Sequence, residues 1–378
     1  MSTSKLEPFC KYCINSTCLE ASFFMQKIGG IMVDLNEFGW NESYRIKEND
    51  GKLYGRVIEI QRSVYKVICQ YGEVNAKLKG SFYKNNGESI FPVVGDFVEL
   101  RYEEHGDSVI NKVCKRKTQF SRTDFSGHVM GYVKTVKEQV LCANFDYIFI
   151  FSSLNKDFNI KKITRYISAA VQGGAKPVVV LTKADICENP ECYIEQVKNA
   201  SKAAEVICIS SKTGYGLEKV SEYMMPGKTI VLVGSSGVGK STLVNTIIGE
   251  EVMATSGIRE SDSAGHHTTT HRQLWQLGSK GMIIDTPGIR EVGMWDAEHG
   301  INDTFSDIAE LISACKFRNC NHKNEPGCAV KKALAEGTLS EKRWQMYCEL
   351  QEENQFGLKK AAYTKKEKLK AKINAHSI

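Results

Sequence analysis

Short apolar stretches separated by turn residues dominate the first third of the chain. Between residues 55 and 122 these stretches lie at 56–60, 64–68, 97–100 and 109–110, and polar residues alternate with them. Glycine and asparagine positions such as Gly80 and Gly95 separate the stretches, as turns separate short strands. Five or so strands within about 65 residues predict a small closed barrel, and we expect the OB type, which binds nucleic acid.

The pattern changes at about residue 145. Five almost wholly apolar runs, at 147–151, 178–181, 206–209, 230–233 and 282–285, alternate with segments of helical length such as 163–171 and 242–248. Runs that are apolar on both faces predict buried parallel strands, and their alternation with helices predicts a doubly wound α/β domain. We divide the chain into an N-terminal extension (1–50), the barrel (51–122), the α/β domain (123–300) and a helical C-terminal domain (301–378).

Composition restricts the class of protein further. The 378 residues are 42% hydrophobic and 25% charged, as in ordinary globular proteins. No apolar run approaches the length of about 20 residues that a membrane helix needs, and the N-terminus does not resemble a secretion signal. A cytoplasmic protein that acts away from membranes is therefore expected. The net charge is +6, and seven lysines lie between Lys359 and Lys372, which is typical either of a solvated helix or of an RNA-contacting tail.

A glycine-rich loop follows the run 230–233 and leads into a predicted helix. It consists of Gly234, Ser235, Ser236, Gly237, Val238, Gly239, Lys240, Ser241 and Thr242. The glycines let backbone amides turn toward phosphates at the start of a helix. Lys240 supplies charge to the β- and γ-phosphates, and the Ser241 hydroxyl is a ligand for Mg²⁺. The loop therefore predicts a bound nucleoside triphosphate with Mg²⁺.

A second motif precedes this loop and indicates guanine. Its residues are Thr182, Lys183, Ala184 and Asp185, and the loop Ser210, Ser211 and Lys212 follows the next apolar run. Asp185 can accept two hydrogen bonds from the ring N–H and exocyclic amine of guanine, a donor pattern that adenine lacks. The first position usually carries Asn, so Thr182 leaves the details of base clamping open.

The order of these motifs is that of a rotated GTPase. A Ras-like enzyme has its phosphate loop first and its base-reading motif last, whereas here the base-reading motif comes first and the switches last. Asp285 and Gly288 form the second switch, and Thr269, in the threonine run 268–270, is expected to complete Mg²⁺ coordination in the first. Ile289 occupies the position of the glutamine that orients water in Ras-like enzymes. Slow basal hydrolysis of GTP is expected.

Cysteines form one cluster near the C-terminus. Cys315, Cys320, His322 and Cys328 offer four ligands within fourteen residues, which is enough for one closed, structural zinc site. The other reading is four unrelated core residues. Cys10, Cys13 and Cys18 lie closer together, but no second pair follows, so no zinc site is predicted in residues 1–31. Met32 is an alternative start of the protein.

The barrel, the permuted motif order, the Gly-x-His-Thr-Thr-Thr run at 265–270 and the Cys-x4-Cys-x-His-x5-Cys pattern together resemble the RsgA (YjeQ) family of bacterial GTPases. The resemblance covers residues 55–344. It implies a monomeric GTPase that cycles between GTP and GDP, binds the 30S ribosomal subunit and its 16S rRNA, and acts late in subunit maturation. It also implies low intrinsic hydrolysis that the subunit stimulates.

Three matters stay open at this point. The family pattern matches its histidine to His267, with His266 at a variable position, so His267 is the candidate for orienting the attacking water; alternatively it binds rRNA or belongs to a mobile loop. The barrel aromatics Tyr65, Phe82 and Tyr83 either stack on bases or fill the core.

The protein is either a hydrolysing switch or a nucleotide-gated RNA-binding module with incidental hydrolysis; a small-molecule kinase fits the base-reading motif poorly. In the first case the second switch, which leads directly into the zinc segment, is expected to reposition the RNA-contacting modules.

Overall fold

The computed structural model of the chain describes residues 32–46, 51–84, 90–124, 128–129, 132–133, 137–155, 158–248, 272–286 and 297–375. Its strands are β1 (Leu53–Gln61), β2 (Val64–Cys69), β3 (Gly72–Leu78), β4 (Phe97–Arg101), β5 (Ser108–Val113), β6 (Gln119–Asp124), β7 (His128–Val129), β8 (Tyr132–Val133), β9 (Lys137–Ala143), β10 (Tyr147–Ser153), β11 (Lys176–Thr182), β12 (Glu205–Cys208), β13 (Thr229–Gly234), β14 (Gln273–Gln276) and β15 (Met282–Asp285). Its α-helices are α1 (Ser81–Lys84), α2 (Ile160–Gln172), α3 (Pro190–Ala200), α4 (Leu217–Ser221), α5 (Lys240–Ile248), α6 (Glu298–Thr304), α7 (Ser306–Ser313), α8 (Ala329–Ala335) and α9 (Glu341–Ala375). Within these ranges, three short 3-10 helices lie at Glu42–Tyr44, Ala184–Ile186 and Gly278–Lys280.

The first five strands close into the predicted barrel. They are paired in the order β1-β2-β3-β5-β4, and β4 pairs again with β1. The β3–β5 pair is parallel and the other barrel pairs are antiparallel. The inward-facing side chains of Val57, Val67 and Ile110 are completely buried. The N-terminal five-stranded barrel and the α/β domain expected from the sequence are both confirmed.

The barrel aromatics divide between the two roles left open by the sequence. Tyr65 and Phe82 are each only 8% exposed and pack in the barrel core, whereas Tyr83 is 65% exposed. One basic residue of the barrel segment also has a structural role, because Arg116 forms an ion pair with the fully buried carboxylate of Asp96 at 2.7 Å. Part of the stacking surface suggested by the sequence is therefore structural.

A small sheet that the sequence pattern did not reveal follows the barrel. Strands β6 and β9 pair antiparallel, from Gln119 opposite Ala143 to Asp124 opposite Lys137. Phe120, Leu141 and Cys142 on these strands are buried in the main core of the α/β domain. The connection between barrel and α/β domain is thus itself packed.

The α/β sheet has the order β12-β11-β10-β13-β15-β14. All of its neighbours are parallel except β14, which is antiparallel to β15. Strand β13, which carries the glycine-rich loop, lies between β10 and β15, so the loop emerges near the middle of the sheet. Because parallel strands end at one edge, the sequence motifs at 182, 210, 234 and 285 meet there.

The barrel and the α/β domain are joined by a buried arginine. Arg56 is 1% exposed, and its guanidinium donates to the carbonyl oxygens of Phe38 (2.7 Å) and Asn144 (2.5 Å) and to Thr229 Oγ1 (2.9 Å). Burial lowers the pKa of this side chain to about 10. Strand β1 also pairs with β14 at Glu59 and Gln273. One guanidinium therefore links the barrel to residues 32–46 and to the start of β13.

Helices α6 to α9 form the C-terminal unit around their own core. Ile301, Phe305, Ile308 and Val330 are completely buried in it. The lysine-rich tail continues α9, which spans 35 residues. Of the helices that the structure describes, none combines the length and apolar character that crossing a bilayer would require.

Candidate nucleotide site and metal cluster

The glycine-rich loop has the backbone shape that its glycines predict. Gly234, Gly237 and Gly239 have φ angles of 146°, 73° and 107°, which side chains with a Cβ rarely adopt. A Cβ on Gly234 would also lie 2.8 Å from the carbonyl oxygen of Phe151 on the neighbouring strand. The loop is thus tightly seated between β10 and β13. Val238 is buried beneath it, while Ser236 and Gly237 are exposed at its tip.

Lys240 begins helix α5 and folds back over the loop. Its Nζ donates to the carbonyl oxygens of Gly234 and Ser235, both at 2.9 Å. Burial lowers the pKa of this amine, and the nearby carboxylate of Asp285 acts in the opposite direction. The cation therefore has neutral carbonyl partners, which a charged phosphate group can replace. Ser241 and Thr242 follow it in the first turn of α5.

Thr182 connects the base-reading motif to the phosphate loop. It ends strand β11, is 4% exposed, and donates its hydroxyl hydrogen to the carbonyl oxygen of Val238 at 2.6 Å. Its side chain also lies 3.7 Å from the Cβ position of Gly239. A threonine here can therefore hold the two loops together, and its effect on base clamping stays a prediction.

The two predicted base-contacting loops lie side by side. Ser210 Oγ donates to Asp185 Oδ1 at 2.7 Å, and Ala184 N donates to the carbonyl oxygen of Ile209 at 3.1 Å. The hydrogen bond from Ser210 lowers the pKa of Asp185 and leaves its carboxylate ionised and exposed. Lys183 has a left-handed backbone with φ 62°, and Ser211 and Lys212 follow Ser210 in the second loop. The arrangement holds an exposed acceptor carboxylate three residues after Thr182, which itself contacts the phosphate loop.

Asp185→Asn should reduce selectivity for guanine. An amide replaces one of the two acceptor oxygens of the carboxylate by an N–H donor, which would face a donor of guanine. We therefore expect GTP affinity to fall about tenfold or more, since hydrogen bonds to a charged group contribute about 1.5–3 kcal/mol. Competition between fluorescent GDP and unlabelled GTP or ATP measures this. Glu188→Gln, at an exposed position three residues away, is the matched control. Equal competition by ATP against the unaltered protein would contradict the base assignment.

The structure describes some of the residues that are predicted to lie near Mg²⁺. Asp285 ends β15, and its pKa is raised by burial while the charge of Lys240 opposes that rise. The Thr286 hydroxyl donates to the carbonyl oxygen of Leu232 at 2.5 Å, which fixes this strand end beside the start of the phosphate loop. Gly288, His267 and Thr269 lie outside the described residues, and their roles remain predictions.

The four predicted metal ligands meet at one point. Cys315, Cys320, His322 and Cys328 offer ligand atoms that all lie within 4.8 Å of one another. Cys315 Sγ is 3.9 Å from Cys328 Sγ and 3.6 Å from His322 Nδ1. Tetrahedral coordination with metal–sulfur bonds of about 2.3 Å requires sulfurs about 3.8 Å apart. The cluster therefore fits a metal ion, and four unrelated core residues would not converge in this way.

The electrostatics of this cluster suit a metal. Burial opposes ionisation of Cys315, but amide hydrogen bonds from Val330 and Ala329 outweigh it and lower the pKa of this thiol. Burial raises the pKa of Cys320 to about 11 and lowers that of His322. A neutral imidazole is the form that binds metal. A cation would supply the charge needed to ionise the remaining thiols.

Cys320→Ser should lose the metal and leave nucleotide binding intact. The cluster belongs to the separate core of helices α6–α9, so removal of a ligand should loosen that unit alone. Metal analysis should find about one zinc per chain in the unaltered protein and none in the variant. Cys348→Ser, outside the cluster, should keep its zinc. An unaltered protein that carries no zinc would rule out the zinc assignment.

One residue beside the phosphate loop was missed in the sequence. Lys162, on helix α2, donates from Nζ to Ser235 Oγ at 2.7 Å. It lies 73 positions before its partner, in a stretch read only as a helix. Helical spacing predicts which face of α2 carries Lys162, but it does not predict which loop packs against that face.

Two protein-family models match consecutive parts of the chain, which contain the α/β domain and the barrel. The family model of the RsgA GTPase matches residues 113–295, and that of the RsgA N-terminal domain matches residues 54–110. The small ribosomal subunit biogenesis GTPase RsgA 2 of Listeria monocytogenes is 41% identical over 308 residues, covering 81% of this chain and 85% of the relative. The small ribosomal subunit biogenesis GTPase RsgA of Methanosarcina acetivorans is 38% identical over 327 residues, covering 85% and 86%.

Solved structures agree with the architecture. YjeQ from Thermotoga maritima matches with a TM-score of 0.57 and 26% identity, over 79% of this chain and 97% of that protein. YloQ, a circularly permuted GTPase, matches with a TM-score of 0.54 and 24% identity, over 80% and 95%, and supports the fold alone. With its motif order, barrel and relatives in agreement, the chain belongs to the RsgA family of circularly permuted GTPases.

Proposed function

We propose that this protein is a GTPase of small ribosomal subunit biogenesis whose hydrolysis of GTP is coupled to its release from the subunit. GTP binding is supported above all by the contact between the base-reading motif and the phosphate loop, where the Thr182 hydroxyl donates to the Val238 carbonyl oxygen at 2.6 Å. That contact ties the end of strand β11 to the phosphate loop, three residues before the proposed guanine reader Asp185, and so supports the proposal. The names of relatives up to 41% identical support the ribosomal half.

In this proposal each part of the site has a role. Lys240 and the amides of residues 234–239 bind the phosphates, Asp185 reads guanine, and Ser241 with Thr269 holds Mg²⁺, near which Asp285 acts through water. His267 orients the attacking water. A Mg²⁺ ion held there would supply positive charge opposite the charge that develops on the phosphates. GTP hydrolysis then changes the second switch, which includes Gly288 and precedes helix α6 by a short stretch of chain.

The remaining proposals concern partners and the second metal site. One structural zinc is held by Cys315, Cys320, His322 and Cys328, because a Cys3His set with sulfurs 3.9 Å apart suits zinc. The partner is the 30S subunit, contacted through its 16S rRNA, and the protein acts as a monomer in the cytoplasm. Exposed Tyr83 and the lysines of the barrel are candidates for RNA contact.

Co-sedimentation with purified subunits tests the proposal. The protein should pellet with 30S subunits in a non-hydrolysable GTP analogue, pellet less in GDP, and stay in solution with 50S subunits. Equal association in GTP analogue and GDP would contradict the coupling to release. The alternative, a nucleotide-gated RNA-binding module with incidental hydrolysis, has weaker support because the relatives are named as GTPases.

A further inference from the structure

Helix α2 contacts the phosphate loop with one residue and the C-terminal unit with the residue before it. The helix begins after strand β10, with Asn159 as its N-cap, so its first turn lies at the nucleotide edge of the sheet. Lys162 donates to Ser235 Oγ at 2.7 Å. Lys161 donates to both carboxylate oxygens of Glu349 on α9, each at 2.8 Å. Two adjacent side chains of α2 therefore contact the phosphate loop, which binds the nucleotide in the proposed function, and helix α9 of the C-terminal unit.

Ser235 has two lysines as partners. Lys240 binds its backbone oxygen at 2.9 Å, and Lys162 binds its side-chain oxygen. Among the described residues, no carboxylate lies within ion-pair distance of Lys162, whereas Lys161 has one. The positive charge of Lys162 is thus directed at the loop and adds to the field that attracts phosphates. When Lys240 turns to a bound phosphate, Lys162 still holds the loop through the Ser235 hydroxyl.

The rest of α2 is attached to the C-terminal unit along its length. Arg165 pairs with Glu353 at 2.9 Å, one turn after Lys161 and Glu349 on the two helices. Near the other end, Ser168 Oγ bonds Thr304 Oγ1 at 3.1 Å, and Gly300 N donates to Gln172 Oε1 at 2.9 Å. A Cβ on Gly300 would lie 2.1 Å from the Ser168 carbonyl oxygen. Helices α2 and α6 therefore touch backbone to backbone, and a shift of one must move the other.

We propose that Lys162 is a positioning residue of the phosphate loop and that helix α2 transmits the occupancy of this loop to the C-terminal unit through Lys161 and Arg165. This route is separate from the second switch and rests on GTP binding at the proposed site. Exposed ion pairs such as Lys161–Glu349 add little stability. Their effect here is to set the position of α9 relative to the nucleotide.

Nucleotide affinity tests the first half. Lys162→Met should weaken binding of fluorescent GDP and of a non-hydrolysable GTP analogue about tenfold, since it removes a charged hydrogen bond to the loop. Lys162→Arg should stay close to the unaltered protein, which would separate a positional role from general misfolding. Lys161→Met, one residue away, should bind nucleotide normally. Unchanged affinity in Lys162→Met would overturn the positioning role.

Hydrogen exchange tests the second half, with each variant saturated by nucleotide. In the unaltered protein, exchange in the α9 segment 345–355 should differ between GTP analogue and GDP. That difference should shrink in both Lys162→Met and Lys161→Met, although only the former binds more weakly. A difference that is absent from the unaltered protein, or that persists in both variants, would overturn the transmission. Failure of the unaltered protein to bind GTP would instead refute the proposed function.

Discussion

Replacing Lys240 with alanine is expected to abolish measurable GTP binding. The amine is half-buried, and its hydrogen-bond partners among the described residues are the carbonyl oxygens of Gly234 and Ser235, both at 2.9 Å. Burial already lowers its pKa, so the site bears a desolvation cost that a triphosphate offsets by direct contact. Loss of one buried charged partner of a phosphate costs several kcal/mol, so an affinity loss of at least about a hundredfold follows.

Titration with fluorescent GTP measures this effect. Lys198→Ala, which removes an exposed lysine of the same domain, is the control and should bind normally. Circular dichroism should show the same fold in both variants, because the loop that carries these carbonyl groups is also held by Thr182 and by its position between β10 and β13. A Lys240→Ala variant that binds GTP as the unaltered protein does would show that the phosphates lie elsewhere.

The second large effect is expected at His267. Ile289 follows the second switch and cannot hydrogen-bond a water molecule, so the polar group that orients the nucleophile must come from another position. The first switch supplies a histidine next to the threonine run that contains Thr269. We expect His267→Ala to keep GTP affinity and 30S binding but to lose most of the subunit-stimulated turnover, because orientation of the nucleophile acts on the barrier and not on ground-state binding.

Single-turnover hydrolysis on saturating 30S subunits separates these quantities. His266→Ala, at the neighbouring position, is the control and should hydrolyse GTP almost normally. If His266→Ala were slow and His267→Ala were not, the role would move by one residue. If both variants retained full stimulated turnover, the water-orienting group would lie outside the first switch, and the ribosome itself would become the candidate.

Local patterns carried most of what could be predicted. The phosphate loop and the metal cluster each lie within one short stretch of sequence, so the residue types and their spacing were enough to predict their chemistry. Parallel strands then bring the motifs at 182, 210, 234 and 285 to one edge, which the order of apolar runs already implies. The five-stranded barrel was predictable for the same reason, since its strands are short and separated by turns.

Contacts between distant segments were not predictable. Arg56 is 173 positions from Thr229, and Lys162 is 73 positions from Ser235, so neither role leaves a local signal. The barrel aromatics show a related limit. Phe82 and Tyr83 are adjacent, yet one is 8% and the other 65% exposed, because a single turn of helix α1 points them in different directions. The sequence left both residues with the same two alternatives, base stacking or core packing, and only the packing of the folded barrel separates them.

Turnover of GTP with and without purified 30S subunits tests the central claim most directly. The protein alone should hydrolyse GTP slowly, and saturating 30S subunits should raise the rate severalfold, while 50S subunits should not. The Lys240→Ala variant should be inactive in both conditions. A protein that binds 30S subunits in a nucleotide-dependent way, but whose turnover they leave unchanged, would contradict the account and favour the nucleotide-gated binding module.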